Sequence, residues 1–498
     1  MRCLRPVHFA ATPLPGHSRV MPMHDTIFEM NNVSFRFPDD HSPTLSSISF
    51  AIERGERVAI SGPSGSGKST LLYLLNRLYP ANCDGIVDGE NHSFGKSADS
   101  YAPGEINHRV ATVFQDPDSQ FCMPTVEEEL AFTLENLNTP ASEMEERIHH
   151  VLDITSLSHL RHVLIQTLSG GIKQRVATAC ALVMNPEVLL LDEPISHLDP
   201  YTAKEFIHWL DQLQKTFNLT IIAVEHRLDY WGTFFNREIK VTSDGRISED
   251  AIFKPHETLR YPLRLNSMLD PTVLIATGLS VNVKGNTLLH PLSMTAKKGE
   301  CIVIAGPNGS GKSTLVKAIC GIYKKEAVKF ASDPCGYVPQ SPEFLFLTST
   351  VLDELAFGGT SSQQELNDLI ESLRLTDIKE HNPFAVSHGQ KRRVAIGAML
   401  ADKRNVLFLD EPTSGQDEAA LLELFRLIDS RLDQGDTVFI VTHDMEFAAA
   451  VADSVVLLKD GRMTGKFIAE RVWQDVELLA AHNLLAPKGV SGHAESFA

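Results

Sequence analysis

Seven cysteines are few for 498 residues, and they are scattered at positions 3, 83, 122, 180, 301, 320 and 335 with no C-x-x-C pair among them. That spacing excludes the usual cysteine-based zinc and iron–sulfur sites and suits reduced thiols better than a disulfide framework. No apolar run reaches the ~18 residues that cross a bilayer, so a role at a membrane requires other chains to supply the spanning segments. Positive charge is in deficit: 45 Lys and Arg stand against 63 Asp and Glu, a net charge of −18. An acidic surface argues against nucleic acid as the main partner. Acidic residues are absent from the first 24 positions, which carry Pro6, Pro13, Pro15 and Pro22 but no apolar h-region. That start is expected to be a disordered tail rather than a secretory signal, with Met21 and Met23 as alternative starting points.

What is present is a repeated glycine-rich loop. GPSGSGKST comprises Gly62, Pro63, Ser64, Gly65, Ser66, Gly67, Lys68, Ser69 and Thr70, and GPNGSGKST comprises Gly306, Pro307, Asn308, Gly309, Ser310, Gly311, Lys312, Ser313 and Thr314. Both fit the phosphate-loop pattern G-x-x-x-x-G-K-[ST]. Glycines let successive backbone N–H groups turn inward around an anion, and the following helix adds its positive N-terminus. Lys68 and Lys312 are placed to reach the β- and γ-phosphates of a nucleotide, and the hydroxyls of Ser69 and Ser313 to help hold Mg²⁺. Apolar strands are expected before the loops (RVAIS, Arg57 to Ser61; CIVIA, Cys301 to Ala305) and helices after them. One accidental glycine-rich turn is conceivable, but two in the same strand–loop–helix context are not.

The repeat extends well beyond the loops. TVEEELAF (Thr125 to Phe132) matches TVLDELAF (Thr350 to Phe357), and LSGGIKQR (Leu168 to Arg175) matches VSHGQKRR (Val386 to Arg393). VLLLDEP (Val188 to Pro194) matches VLFLDEP (Val406 to Pro412). Gln115 pairs with Gln340 and His226 with His443, all in the same order. The expected organisation is a tail over 1–24, a first domain over 25–255, a linker over 256–271, a second domain over 272–470 and a tail over 471–498. Alternating apolar strands and helical patterns imply α/β layers with a mainly parallel sheet. Asp192 and Asp410, at the ends of buried strands, are candidates to support Mg²⁺, and Glu193 and Glu411 to act as general bases on water. A lone Gln or His after a strand is ordinarily structural; recurrence at matching places favours a functional role for Gln115, Gln340, His226 and His443.

Together these motifs resemble the ATP-binding cassette (ABC) ATPases, over both halves of the chain. The resemblance implies an α/β fold of two tandem P-loop NTPase (ABC ATPase) domains. Each would have a mainly parallel sheet core, a small antiparallel β part and a helical subdomain. It implies ATP and Mg²⁺ as cofactors and head-to-tail pairing of the two domains within the chain. Ser169, Gly170 and Gly171 would then face the ATP held by Lys312, and Ser387, His388 and Gly389 the ATP held by Lys68. Gln115 and Gln340 resemble the glutamines that sense Mg²⁺ and the transport partner, and His226 and His443 the switch histidines at the γ-phosphate. Phe37 occupies the place of an adenine-stacking aromatic.

FQDPDSQFCMPTVEEELAFTLENL (Phe114 to Leu137) and VEHRLD (Val224 to Asp229) are similar to segments of the energy-coupling factor (ECF) importers, which take up vitamins and metal ions. A tandem chain of this type resembles those assigned to hydroxymethylpyrimidine or thiamine uptake. The implied partners are a transmembrane coupling subunit and a membrane-embedded substrate-binding subunit, with the chain peripheral on the cytoplasmic side of the cell membrane. The apolar residues Phe121, Met123, Phe344 and Phe346, beside Glu127, Glu128, Glu129, Asp353 and Glu354, are expected to form the contact with the membrane partner. The sequence departs from the family pattern at His388, Ile172, Val283 and Gln416–Asp417–Glu418, so the two ATP sites are expected to be unequal. The competing reading is a soluble tandem ABC ATPase acting on ribosomes or DNA. It fits less well with an acidic chain, a short connector and no zinc-binding cysteine pairs.

Overall fold

A computed structural model describes residues 26–488 apart from 39, 103, 197, 255–258, 260, 263–268, 324–327, 331–334 and 360. The tail expected over 1–24, most of the linker expected over 256–271 and the end of the tail expected over 471–498 lie outside the described residues. The chain divides into two compact units, one largely before residue 256 and the other largely after it.

In the first unit, β1 (Thr26–Arg36), β2 (Leu45–Glu53), β4 (Ile86–Ser93) and β5 (Lys96–Ser97) form an antiparallel sheet in the order β2-β1-β4-β5. A second sheet contains β3 (Arg57–Ser61), β6 (Val110–Val113), β7 (Val188–Asp192), β8 (Thr220–Val224), β9 (Arg237–Val241) and β10 (Ile247–Ile252). Its order is β10-β9-β3-β8-β7-β6, parallel except at the β10 edge. Strands β7 and β8 are buried along their whole length, which is why they read as unbroken apolar runs rather than alternating ones. The phosphate loop joins β3 to helix α1 (Lys68–Leu75). Helices α2 (Val126–Asn136), α3 (Ala141–Ile154) and α4 (Gly170–Leu182) intervene between β6 and β7, and α5 (Pro200–Phe217) leads to β8. Thr125 and Glu128 start α2 with a reciprocal capping box, satisfying two otherwise orphaned N–H groups.

The second unit repeats the plan. Strands β11 (Leu269–Val283), β12 (Asn286–Lys298) and β14 (Val328–Phe330) make the antiparallel part, in the order β12-β11-β14. Strands β13 (Cys301–Ala305), β15 (Gly336–Val338), β16 (Val406–Asp410), β17 (Thr437–Val441), β18 (Ser454–Lys459) and β19 (Arg462–Ile468) make the other sheet. The order is β15-β16-β17-β13-β18-β19, parallel except at the β19 edge. Helix α6 (Lys312–Ile319) follows the second loop, α7 (Val351–Ala356), α8 (Gln363–Ser372) and α9 (His388–Ala401) form the helical part, and α10 (Glu418–Asp433) and α11 (Met445–Val451) flank β17. Phe408 and Phe439 stack across β16 and β17 with centroids 4.5 Å apart, both fully buried.

The second domain, expected over 272–470, extends further. The structure continues its packing with α12 (Ala469–Gln474) and α13 (Val476–Ala481), whose Val472, Trp473 and Leu479, with Leu484 beyond them, lie in the core. Apolar side chains on these two short helices find cover there, so the segment is part of the unit and not a tail.

Candidate active site

In a parallel sheet, ligands are held at the carboxyl ends of the strands. Here β3 lies beside β8, and β8 beside β7. The phosphate loop after β3, His226 after β8 and Asp192–Glu193 at the end of β7 are thereby gathered on one edge. The second unit assembles its loop, His443 and Asp410–Glu411 around β13, β17 and β16 in the same way.

The loops need glycine where they begin. Gly62 has φ 142° and Gly306 φ 148°. A Cβ on either would stand 2.1 Å from a carbonyl oxygen, of Val241 and Leu458 respectively. The lysines are buried and turned into their own loops. Lys68 Nζ donates to the carbonyls of Gly62 (3.0 Å) and Pro63 (2.7 Å), and Lys312 Nζ to those of Gly306 (2.8 Å) and Pro307 (2.9 Å). Ser69 Oγ donates to Asp192 Oδ1 at 3.1 Å and Ser313 Oγ to Asp410 Oδ1 at 3.0 Å. Burial, and then the adjacent glutamate, push the carboxyl groups of Asp192 and Asp410 each up to about 6.

Glu193 and Glu411 adopt positive φ, 44° and 53°, a region that non-glycine residues seldom occupy and that concentrates at functional sites. Their backbone N–H groups are tied to the ends of the neighbouring strands, at Val224 O (2.9 Å) and Val441 O (2.8 Å). The turn aims each carboxylate at the paired histidine. His226 Nε2 lies 3.2 Å from Glu193 Oε1, and His443 Nδ1 lies 2.8 Å from Glu411 Oε2. Burial alone would raise the Glu411 carboxyl, but His443, followed by Lys312 and Arg392, holds it below its ordinary range. The units differ around the glutamines. Gln115 Nε2 donates to Glu193 Oε2 at 2.8 Å. Gln340 is exposed, and its carbonyl oxygen accepts from Arg392 Nη2 at 2.7 Å. Arg392 is fully buried on α9 where the first unit has Gln174. In the sequence this substitution has one signal, KRR against KQR in the repeat.

The family model described as ABC transporter matches residues 45–196 and 289–414, more than half of the chain. The chain belongs to this family. A protein of Bacillus subtilis (strain 168), YkoD, provisionally named an HMP/thiamine import ATP-binding protein, is 36% identical, the match covering 88% of this chain and 91% of that protein. A provisionally named ABC transporter ATP-binding protein of Streptococcus pneumoniae serotype 4 is 32% identical, with 93% and 94% covered. Among solved structures, the archaeal ribosome recycling factor aABCE1, in complex with the stalk protein aP1, matches with a TM-score of 0.60 at 24% identity, covering 88% of this chain and 90% of that one. That likeness is one of fold.

ABC ATPase domains bind ATP with Mg²⁺, and the residues present fit both. Ser66 Oγ and Ser310 Oγ are buried in the loops without a hydrogen-bond partner, as suits a ligand bearing acceptor oxygens. A serine hydroxyl against an aspartate oxygen in each unit is a hard-oxygen pair of the kind Mg²⁺ takes.

The other expected site residues are less uniform. Ser169 and Gly170 are exposed at the start of α4, and a Cβ at Gly170 meets nothing within 4 Å. Ser387 instead caps its own helix in a reciprocal pair with Gln390. Gly171 and Gly389 are buried, and Gln416 Nε2 donates to Gly389 O at 3.1 Å. The side chain of His388 lies outside the described residues. Phe37 is half-buried and packs edge-on against Phe35 (5.0 Å) and Tyr79 (5.6 Å), while Val283 is exposed.

The expected membrane-contact residues do not behave as a set. Phe344 is 82% exposed, but Phe346 is 6% exposed, in the core and edge-on against Phe384. Phe121 and Met123 are half-buried. Glu129 and Glu354 are not a charged rim either. Glu129 Oε2 accepts from Cys122 N (2.9 Å) and Met123 N (2.7 Å), and Glu354 Oε2 from Leu347 N (2.9 Å), Thr348 N (2.9 Å) and Thr348 Oγ1 (2.8 Å). Both are buried and hold the preceding loop to the start of the helix.

Proposed function

We propose that this chain is the ATP-hydrolysing subunit of an ECF-type importer, energising uptake of a vitamin or metal ion across the cell membrane from its cytoplasmic side. The observation that carries the reading is the glutamate–histidine pair beside a phosphate loop in both units. A chain kept only for binding nucleotide would not need it. Names of relatives support import, and the described residues contain no helix long and apolar enough to cross a membrane, which leaves that task to partner subunits.

In this reading Lys68 and Lys312, with the loop N–H groups, hold the phosphates. Asp192 and Asp410, with Ser69, Ser313, Gln115 and Gln340, hold Mg²⁺, which when bound neutralises phosphate charge. Glu193 and Glu411 accept a proton from the attacking water, and His226 and His443 orient those carboxylates. Phe37 stacks on adenine in the first site. Head-to-tail pairing, with Ser169–Gly170–Gly171 and Ser387–Gly389 completing the opposite sites, belongs to the same proposal. The membrane partners are a coupling subunit and a substrate-binding subunit, met through exposed residues after the glutamines such as Phe344.

Co-expression with such membrane subunits tests it. The chain should be recovered with membranes only when they are present, and uptake should stop in the Glu193→Gln, Glu411→Gln double variant. Recovery with ribosomes regardless of membrane subunits would favour the soluble alternative.

A further inference from the structure

Each Mg²⁺-site aspartate has a second partner besides its serine. In the first unit Tyr73, on the last turn of α1, donates its hydroxyl to Asp192 Oδ2 at 2.9 Å. In the second unit Tyr337, in β15, donates to Asp410 Oδ2 at 3.4 Å. The two tyrosines do not correspond in the repeat. Lys317 stands where the first unit has Tyr73, and Thr112 where the second has Tyr337. Two different elements therefore deliver a phenol to the corresponding oxygen of the corresponding carboxylate in each unit.

We propose that Tyr73 and Tyr337 are positioning residues for Mg²⁺: each engages Oδ2 of its aspartate so that Oδ1, on the serine side, is presented to the metal. Both aspartates are buried, so a carboxylate oxygen without a donor there is costly, and a carboxylate held at one oxygen only is free to rotate. Ser69 and Tyr73 hold both oxygens of Asp192, as Ser313 and Tyr337 hold those of Asp410. The shorter contact in the first unit makes Tyr73 the stronger of the two.

The inference rests on the ATP-binding reading, and the test separates the two. ATP is titrated calorimetrically into the full chain, in EDTA and across a Mg²⁺ series. Tyr73→Phe is studied in a Lys312→Ala background and Tyr337→Phe in a Lys68→Ala background, so that one site is read at a time. Each tyrosine variant should bind ATP in EDTA as its parent does, while its half-saturating Mg²⁺ rises about three- to tenfold, the larger rise belonging to Tyr73→Phe. An unchanged Mg²⁺ requirement in both variants overturns the inference. An equal loss with and without Mg²⁺ also overturns it, since that is the mark of a merely structural phenol. Absence of ATP binding by the unmodified chain would instead defeat the underlying reading.

Discussion

Replacing Glu354 by alanine tests how the segment after Gln340 is held. The carboxylate accepts two backbone N–H groups and one hydroxyl, all at Oε2 and all within 2.9 Å. Glu354→Ala leaves the two N–H groups without their acceptor, while the Thr348 hydroxyl still reaches Thr350 O at 3.0 Å. A buried orphaned donor costs ~1–3 kcal/mol. Leu347 is exposed and Thr348 half-buried, so water replaces part of what is lost and the lower end applies, giving ~2 kcal/mol for the two N–H groups. Glu129 likewise holds two N–H groups, those of Cys122 and Met123, so Glu129→Ala should also cost ~2 kcal/mol. In domains of this size each kcal/mol lowers the melting temperature by ~2–4 °C, which predicts a fall of ~4–8 °C in each unit. Differential scanning calorimetry of the full chain reads both transitions. Glu354→Gln, which retains an acceptor oxygen, should lose less. A Glu354→Ala transition within ~2 °C of the unmodified chain would refute the argument.

Glu411→Gln should preserve ATP binding and slow turnover by ~10²–10⁴, the range a positioned general base supplies, whereas Lys312→Ala should weaken binding itself; calorimetric titration and steady-state turnover distinguish them. Gly306→Ala should abolish binding at the second loop, because its Cβ would stand 2.1 Å from Leu458 O; nucleotide titration in a Lys68→Ala background reads this. Burial, and then Glu193, hold the Glu225 carboxyl well above its ordinary 4.5, so folding favours its protonated form, and the stability this contributes is full below 4.5 and lost as pH rises towards the folded value. Glu225→Gln mimics the protonated side chain, so its stability relative to the unmodified chain should be greater at neutral pH than in acid, as urea unfolding at both would show.

The parts legible in sequence are those whose chemistry depends on local spacing. The phosphate loops, the strands β3 and β13 before them and the carboxylates closing β7 and β16 need particular residues at particular intervals, and each appears where the repeat places it. The units' inequality was legible only in outline. The substitutions at His388 and Val283 stood out, while Arg392 beneath Gln340 did not, because its effect comes from a carbonyl 52 positions away. Phe344 and Phe346 are alike in sequence and opposite in burial. No periodicity governs that loop; Phe346 joins the core of its unit while Phe344 faces out. Glu129 and Glu354 read as surface charge because acidic residues are common in a first helical turn, and only the fold of the preceding loop turns them inward. Tyr73 and Tyr337 were invisible for a related reason, since each reaches its aspartate from a position where the other unit has no tyrosine.

The central claim is that two glutamate–histidine sites in this chain hydrolyse ATP for transport. It is tested most directly by ATP turnover of the full chain assembled with its membrane subunits, unmodified and as the Glu193→Gln, Glu411→Gln double variant. The account predicts turnover that accompanies substrate uptake and falls at least ~10²-fold in the double variant while ATP still binds. Turnover that survives both substitutions, or uptake that proceeds without it, would contradict the account.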